Sequence, residues 1–165
     1  MSVEVLDESG TDVDVDELVR LARFVLDRLR LHPLTDLCLR LVDEDTIATL
    51  NARWMDTDGP TDVLAFPIDE LTPGHADGDL DDLPEGYLGD LALCPAMAAR
   101  QADEHGHTVA AETQLLTVHG ILHLLGYDHA DPEGHREMFA LQARLLAEWQ
   151  GARDGQPLVD EVTGR

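Results

Sequence analysis

The sequence predicts an α+β fold, in which a single domain contains a four-stranded mixed sheet packed by helices. Four short apolar segments have the composition of strands, and longer segments with apolar residues at helical spacing precede, separate and follow them. The chain has no internal repeat and no Gly-rich phosphate-binding loop. A length of 165 residues is sufficient for one domain with its own core. We predict that this domain spans residues 1–150 and that residues 151–165 form a disordered tail.

The first half of the chain is predicted to form two strands, each followed by a helix. The alternation of apolar and polar residues at the N-terminus is typical of a strand, and Asp12 or Asp14 can cap the helix that follows. Pro33 separates this helix from the second strand. The predicted strands are residues 3–6 and 36–42, and the predicted helices are residues 15–29 and 43–54.

The third predicted strand, residues 59–67, is bracketed by prolines. Because proline cannot donate a hydrogen bond to a sheet, this strand is expected at or near a sheet edge. An edge strand can form the wall of a cleft and bind an extended substrate, but the prolines are equally compatible with a strand that simply has clean ends. The acidic residues 69–86, which include His75, are predicted to form a solvated loop to a neighbouring strand at residues 87–94.

Three helices complete the predicted fold. Pro95 opens a helix that runs to about His105, and an apolar run over residues 115–125 predicts a buried helix. The last helix is expected to start at Asp131 and Pro132. Its predicted buried members are Phe139, Leu141, Leu145, Leu146 and Trp149.

Composition indicates a cytoplasmic protein without a membrane segment. No apolar stretch reaches the roughly 18 residues of a membrane span, and the N-terminus lacks the basic and apolar regions of a signal peptide. Cys38 and Cys94 lie in apolar runs without a C-x-x-C partner, which favours buried free thiols in a reducing compartment over a disulfide. The net charge of −23, with 34 acidic residues against 11 arginines, should repel polyanions at long range. Arg20, Arg23 and Arg30 are expected near one face of the first helix, by default as a solvated surface, and they form the clearest basic cluster.

The run His-Gly-Ile-Leu-His-Leu-Leu-Gly-Tyr-Asp-His, from His119 to His129, predicts a catalytic zinc site. His119 and His123 are four residues apart on the buried helix and therefore share one face. Gly126 can end the helix, after which the chain can fold back and bring His129 to the same point. Three imidazoles leave the fourth tetrahedral position open for water, which is typical of a catalytic zinc rather than a structural one. We predict one zinc per chain.

A single histidine on an apolar helix is more often a hydrogen-bonded core residue than a ligand. Three histidines within 11 residues, two of them on one helix face, favour metal binding. The spacing is also that of the metzincin proteases, which carry a glutamate as general base directly after the first histidine. That position is Gly120 here, so the site has hydrolytic character but lacks the usual peptidase base.

Together these motifs resemble the bacterial YbeY family of endoribonucleases and ribosomal RNA maturation factors. The matching segments are the histidine run, the strand Pro-Thr-Asp-Val-Leu-Ala-Phe-Pro and the segment Leu-Gly-Asp-Leu-Ala-Leu-Cys-Pro, in this order, and the resemblance covers residues 3–150. It implies a zincin (metalloprotease)-like fold with zinc held by His119, His123 and His129. It also implies hydrolysis of single-stranded RNA, 16S rRNA 3′-end processing and ribosome quality control. Small ribosomal subunit proteins and an assembly GTPase are the implied partners.

The sequence departs from the family pattern at one position. Family members often carry arginine directly after the aromatic residue of the segment L-N-x-x-aromatic, where it can stabilise charge on a phosphoryl transition state. Here that position holds Met55, and Arg53 lies two residues earlier. We therefore assign no transition-state stabiliser and no general base from the sequence. Asp128 can orient a ligand imidazole or accept a proton, and a supporting role in the turn is favoured.

Two other functions remain compatible with the sequence. A zinc metallopeptidase fits the histidine spacing and the predicted edge strand, but needs a base other than residue 120. A non-catalytic ribosome assembly factor, in which zinc holds the fold together, fits the acidic charge and Met55. Autonomous nucleic-acid binding normally relies on neutralising phosphates, so an acidic nuclease needs either a local arginine-lined cleft or partners that deliver the RNA.

Overall fold

The computed structural model describes residues 2–74, 85–127 and 131–153. These residues form an α+β domain with four strands and five helices, as predicted. The strands are β1 Ser2–Asp7, β2 Asp36–Leu41, β3 Val63–Pro67 and β4 Tyr87–Leu93. The helices are α1 Val15–Arg28, α2 Glu44–Trp54, α3 Pro95–His105, α4 Val109–Leu124 and α5 Pro132–Arg153. No helix within the described ranges is both long enough and apolar enough to cross a bilayer.

The sheet is mixed, and its strand order is β1-β2-β4-β3. Strand β2 pairs in parallel with both β1 and β4, whereas β3 pairs antiparallel to β4. The prediction that β3 lies at an edge is therefore confirmed. The acidic segment 69–86 connects these two antiparallel neighbours, but His75 and the rest of residues 75–84 lie outside the described part of the chain.

Strand β3 is shorter than predicted and begins at Val63 rather than at residue 59. Gly59 has a left-handed φ of 91°, and its carbonyl accepts a hydrogen bond from the Asn51 side chain at 3.0 Å. Pro60 has no N–H to donate. The Asp62 carboxylate accepts a hydrogen bond from the N–H of Val63 at 2.7 Å. Pairing of β3 with β4 therefore starts at Val63, after this turn.

Helix α1 is capped by Asp14, whose carboxylate accepts a hydrogen bond from the N–H of Glu17 at 3.0 Å. The predicted basic cluster does not form one helical strip. Arg20 and Arg23 are exposed on α1, but the helix ends at Arg28, and Arg30 lies beyond it with a left-handed φ of 62°. A strip of three arginines along one helix face is therefore not available for phosphate contacts.

Alternate residues of the inner strand β4 pack against helices on opposite faces of the sheet. Leu91 belongs to the main core formed with α1, α4 and α5, whereas the next residue, Ala92, packs with Ile47 of α2 and Leu64 of β3 on the other face. This follows from the two-residue period of a strand. Helix α4 contacts α1, α3, α5, β3 and β4, and is therefore enclosed by the rest of the domain.

Gly126 terminates helix α4, as the sequence predicts, from its position just after the C-cap Leu125. This glycine has φ 93°, and its N–H donates to the carbonyl of His123 at 3.0 Å. The N–H of Tyr127 donates to the carbonyl of Leu122 at 3.0 Å. These two bonds constitute a Schellman motif, which requires the left-handed conformation that glycine adopts without strain. The chain therefore turns away from the helix axis at Gly126, three residues after the second histidine of the run.

Helix α5 is rotated relative to the prediction. Leu145 and Trp149 are buried as expected, and Leu141 and Leu146 are half-buried, but Phe139 is 39 % exposed. The buried stripe is completed by Met138 and Gln142. Positions 138, 142, 145 and 149 follow the helical period, so the glutamine occupies a core-facing position that polarity alone does not indicate. The helix runs to Arg153, past the predicted start of the tail, and residues 154–165 lie outside the described ranges.

The two cysteines are buried free thiols, as predicted. Cys94 is fully buried and Cys38 is 8 % exposed, and burial raises the pKa of both thiols above its ordinary value. Because the thiolate is the reactive form, we expect neither cysteine to react appreciably with Ellman's reagent at neutral pH in the folded protein. Both should react within minutes once guanidinium unfolds the chain. Rapid labelling of one thiol in the native state would contradict this expectation.

Candidate metal centre

Two histidines on one face of α4 form the centre of the candidate site. Their Nε2 atoms, one from His119 and one from His123, lie 3.1 Å apart, and their rings meet edge to face with centroids 4.6 Å apart. Both side chains are only half-buried, so the nitrogens remain accessible from outside the domain. The spacing of four residues accordingly places both imidazoles at one point, as predicted.

Gln142 of α5 orients the first of these imidazoles. Its Oε1 lies 2.8 Å from Nδ1 of His119, so the ring donates its Nδ1–H to the amide oxygen. Nε2 of His119 is then the unprotonated nitrogen and carries the lone pair that a metal ligand needs. Gln142 is 6 % exposed, so few alternative positions are open to its amide. This residue was not identified from the sequence, where its one available signal was a helical spacing from Leu145 and Trp149.

The donor atoms fit a tetrahedral zinc. Zinc–imidazole bonds of about 2.0–2.1 Å place neighbouring ligand nitrogens about 3.3 Å apart. The observed separation of 3.1 Å between the two Nε2 atoms is close to this value. His129 and its neighbour Asp128 lie outside the described residues, so the third ligand stays a prediction.

The two histidines open into a cleft of about 490 Å³. One wall comes from Asp62 and Val63 at the start of β3, so the edge strand does border the site. Phe139 also lines the cleft, and its ring lies 5.7 Å from that of His119, which explains why this residue is not in the core. The other lining residues are Gln101, Glu104, His105, Glu112, Leu115, Leu116 and Gln142. The described lining contains three carboxylates and no arginine.

Gly120 follows the first histidine but faces the sheet rather than the cleft. A Cβ atom at this position would lie 2.8 Å from Cδ2 of Leu91 and 3.3 Å from Cγ2 of Val63. These distances are shorter than an ordinary van der Waals contact, so the close approach of α4 to the sheet requires glycine here. A side chain at residue 120 would enter the core, which gives a structural reason for the absence of the metzincin glutamate.

Met55, which stands where family members often carry arginine, does not line this cleft, and neither do its neighbours Arg53 and Trp54. Met55 caps the C-terminus of α2 and is 40 % exposed. The guanidinium of Arg53 stacks over the ring of Trp54, with 5.7 Å to the ring centroid. None of these three side chains belongs to the described lining of the cleft, so Arg53 does not replace the arginine.

We expect Gln142→Leu to weaken zinc binding by about 10- to 100-fold, the usual cost of losing a residue that orients a histidine ligand. The substitution keeps the side-chain volume but removes the acceptor for Nδ1–H of His119. Zinc affinity measured by competition with a chromogenic chelator tests this. Gln101→Leu, in the same cleft, is the matched control and should keep its affinity. Equal affinities in the two variants would exclude an orienting role.

Comparison with known proteins gives a consistent result across sequence and structure. The family model described as "Endoribonuclease YbeY" matches residues 4–150. A protein named Endoribonuclease YbeY from a Nocardioides species is 63 % identical over 150 residues, covering 91 % of this chain and 99 % of the relative. Another of the same name from Acidothermus cellulolyticus is 57 % identical, covering 93 % and 94 % of the two chains. The solution structure of TM1509 from Thermotoga maritima superposes with a TM-score of 0.63 at 27 % identity, covering 99 % of both chains.

Proposed function

Because the chain belongs to the YbeY family of endoribonucleases, we propose that it is a zinc-dependent hydrolase that cleaves single-stranded RNA. We further propose that it acts in the cytoplasm in ribosomal RNA maturation, including processing of the 16S rRNA 3′ end, and in ribosome quality control. The observation that carries the proposal is the pair of Nε2 atoms 3.1 Å apart at the base of an open cleft.

His119, His123 and His129 would hold one zinc ion. When bound, zinc supplies Lewis acidity and lowers the pKa of a coordinated water towards neutrality, so no serine or cysteine nucleophile is needed. The protein's own contribution is to position the ligands. Gln142 fixes the tautomer and the ring plane of His119, and the Schellman end at Gly126 turns the chain so that the third histidine can approach.

The cleft shape is compatible with an extended single strand of RNA. The edge strand β3 borders it on one side and α5 on the other, and the opening lies on the surface of the domain. The acidic lining and the net charge of −23 oppose tight autonomous binding of a polyanion. We therefore propose that the RNA is presented on the small ribosomal subunit, with its proteins and an assembly GTPase as the partners.

The second candidate function is peptide hydrolysis, which is favoured by the position of the edge strand at the cleft wall. An extended peptide can pair with such an edge and extend into a metal site. The orientation of Gly120 towards the sheet weakens this alternative, because no carboxylate can take the place of the peptidase base at that position.

Product analysis distinguishes these functions. The zinc-loaded protein should be incubated with a single-stranded RNA, with the same RNA as a duplex, with small ribosomal subunits carrying unprocessed 16S rRNA, and with casein. We expect cleavage of the single strand and of the 16S precursor, slower cleavage of the duplex and no cleavage of casein. His123→Ala, purified in parallel, identifies contaminating ribonuclease. Proteolysis by the unmodified protein would overturn the RNA proposal, and the absence of any product would favour a non-catalytic assembly factor.

A further inference from the structure

A second group of side chains with metal-ligand chemistry, His105, His107 and Glu112, borders the same cleft. The Nδ1 atoms of His105 and His107 both face Oε1 of Glu112, at 3.4 Å and 2.9 Å. All three ligand atoms lie within 4.8 Å of one another. His105 and Glu112 also line the cleft that contains His119 and His123. From the sequence, His105 was predicted to be the end of a helix and not a metal ligand, and the group was not identified.

The junction between α3 and α4 brings the three residues together. Helix α3 ends at His105, and Gly106 follows with a left-handed φ of 72°. This glycine reverses the chain between the two histidines, so that both imidazoles point to the first turn of α4. Helix α4 is capped there by Thr108, whose hydroxyl accepts from the N–H of Ala111 at 3.0 Å. The cluster is therefore built on the ends of two helices rather than on a free loop.

The burial of the carboxylate distinguishes this cluster from ordinary surface acids. Glu112 is only 1 % exposed, whereas the side chains of His105 and His107 are 52 % and 45 % exposed. A buried carboxylate is costly unless opposite charge or hydrogen bonds compensate it. Two half-exposed imidazoles beside it provide nitrogen donors and leave room for water or a substrate oxygen.

The two distances from Oε1 of Glu112 suit a divalent transition-metal ion. Bonds of about 2.0–2.1 Å to such an ion place tetrahedral ligands about 3.3 Å apart, between the two observed separations. Two imidazoles and one carboxylate favour zinc, manganese or cobalt over magnesium or calcium, which prefer all-oxygen sites.

We propose that His105, His107 and Glu112 bind a second divalent cation, which holds a phosphate of the RNA next to the one that is cleaved. Glu112 and His119 are seven residues apart on α4, which corresponds to about 10 Å along the helix. Two metals that share one reacting phosphate are about 3.5–4 Å apart, so this cation cannot act on the scissile group itself. Its role is to supply local positive charge in a cleft whose described lining has no arginine. The phosphate role rests on the proposed function, whereas the cation site does not.

Metal stoichiometry tests the cation site. Metal-free protein should be titrated with zinc, and separately with manganese, by calorimetry, with bound metal counted by atomic emission after dialysis. We expect two zinc equivalents for the unmodified chain, one more than the single zinc per chain predicted from the histidine run. Glu112→Gln and His105→Ala should each lose one equivalent and keep the other, whereas His123→Ala should lose the complementary one. His75→Ala, which removes a histidine of the predicted solvated loop, is the matched control and should keep both.

Saturation at one equivalent in the unmodified chain would overturn the cation site, whether or not RNA is cleaved. Unchanged stoichiometry in both Glu112→Gln and His105→Ala would also overturn it. His105 is half-exposed, so its replacement should not disturb the fold, and circular dichroism verifies this. Two equivalents with the predicted losses support the site even if the protein cleaves no RNA.

Steady-state kinetics test the phosphate role separately. In His105→Ala we expect KM for single-stranded RNA to rise about tenfold while kcat changes less than twofold, because the lost contact is made to a phosphate that does not react. An unchanged KM would overturn the phosphate role and leave only a cation site.

Discussion

His123→Ala is expected to abolish zinc binding at the site of His119 and His123 and to reduce RNA cleavage by at least about 10²-fold. Removal of one oxyanion-hole donor costs about 10²–10³-fold, and loss of the whole charged centre should cost no less. The remaining imidazole, His119, would lose the neighbour whose Nε2 lies 3.1 Å away. Zinc content of the dialysed protein and initial rates on a labelled single strand measure the two effects.

His75→Ala is the matched control for this experiment, because it removes a histidine of the predicted solvated loop that is outside the predicted ligand set. We expect it to retain full zinc content and activity. Since His123 is half-exposed, its replacement should leave the fold intact, and the far-ultraviolet spectrum should not change. Full zinc occupancy at the site of His119 and His123 in the His123→Ala protein would show that the ligand assignment is wrong.

Gly120→Glu, which recreates the metzincin pattern in the sequence, should destabilise the protein and confer no peptidase activity. The new Cβ would lie 2.8 Å from Leu91, which is fully buried, and the carboxylate would follow it into apolar surroundings. Overpacking and burial of an unpaired polar group together should cost about 4 kcal/mol. For a domain of this size that corresponds to a Tm lower by about 10 °C, measurable by calorimetry.

Gly151→Glu provides the matched control, since it makes the same substitution in α5 where no atom lies within 4 Å of the new Cβ. Its Tm should change by no more than a few degrees, because glutamate forms helix better than glycine by up to about 1 kcal/mol. A stable Gly120→Glu protein that cleaves casein would show that a side chain at residue 120 can reach the cleft, and would contradict its orientation towards Leu91 and the sheet.

Strands, helices and turns could be predicted from the sequence where local residue patterns determine them. Alternation, helical spacing and caps such as Asp14 identified the strands and helices, and the glycine after His123 predicted the turn at Gly126. The bracketing prolines predicted that β3 lies at an edge. These features depend on a residue's own conformational preferences and on its near neighbours, so they are visible without tertiary structure.

The parts that the sequence analysis missed depend on contacts between distant segments. The rotation of α5, which exposes Phe139 and buries Gln142, is determined by the fit of that helix against α4. The cluster of His105, His107 and Glu112 requires the chain reversal at Gly106. That the three side chains meet follows from the arrangement of α3 against α4, which the sequence pattern does not show. Polarity alone would place both the glutamine amide and the glutamate carboxylate on the surface, so neither was selected from the sequence.

The strand order of the sheet has a consequence for how the chain acquires its structure during synthesis. Strand β4 lies between β2 and β3 but is made after both of them. When the ribosome has released residues up to Pro67, β1 and β2 can pair, but the other edge of β2 has no partner, and β3 has no strand to join. An unpaired edge of this kind invites association with other chains. The nascent protein therefore carries an open β-edge until Leu93 emerges, and a chaperone that shields this edge should matter most during that interval.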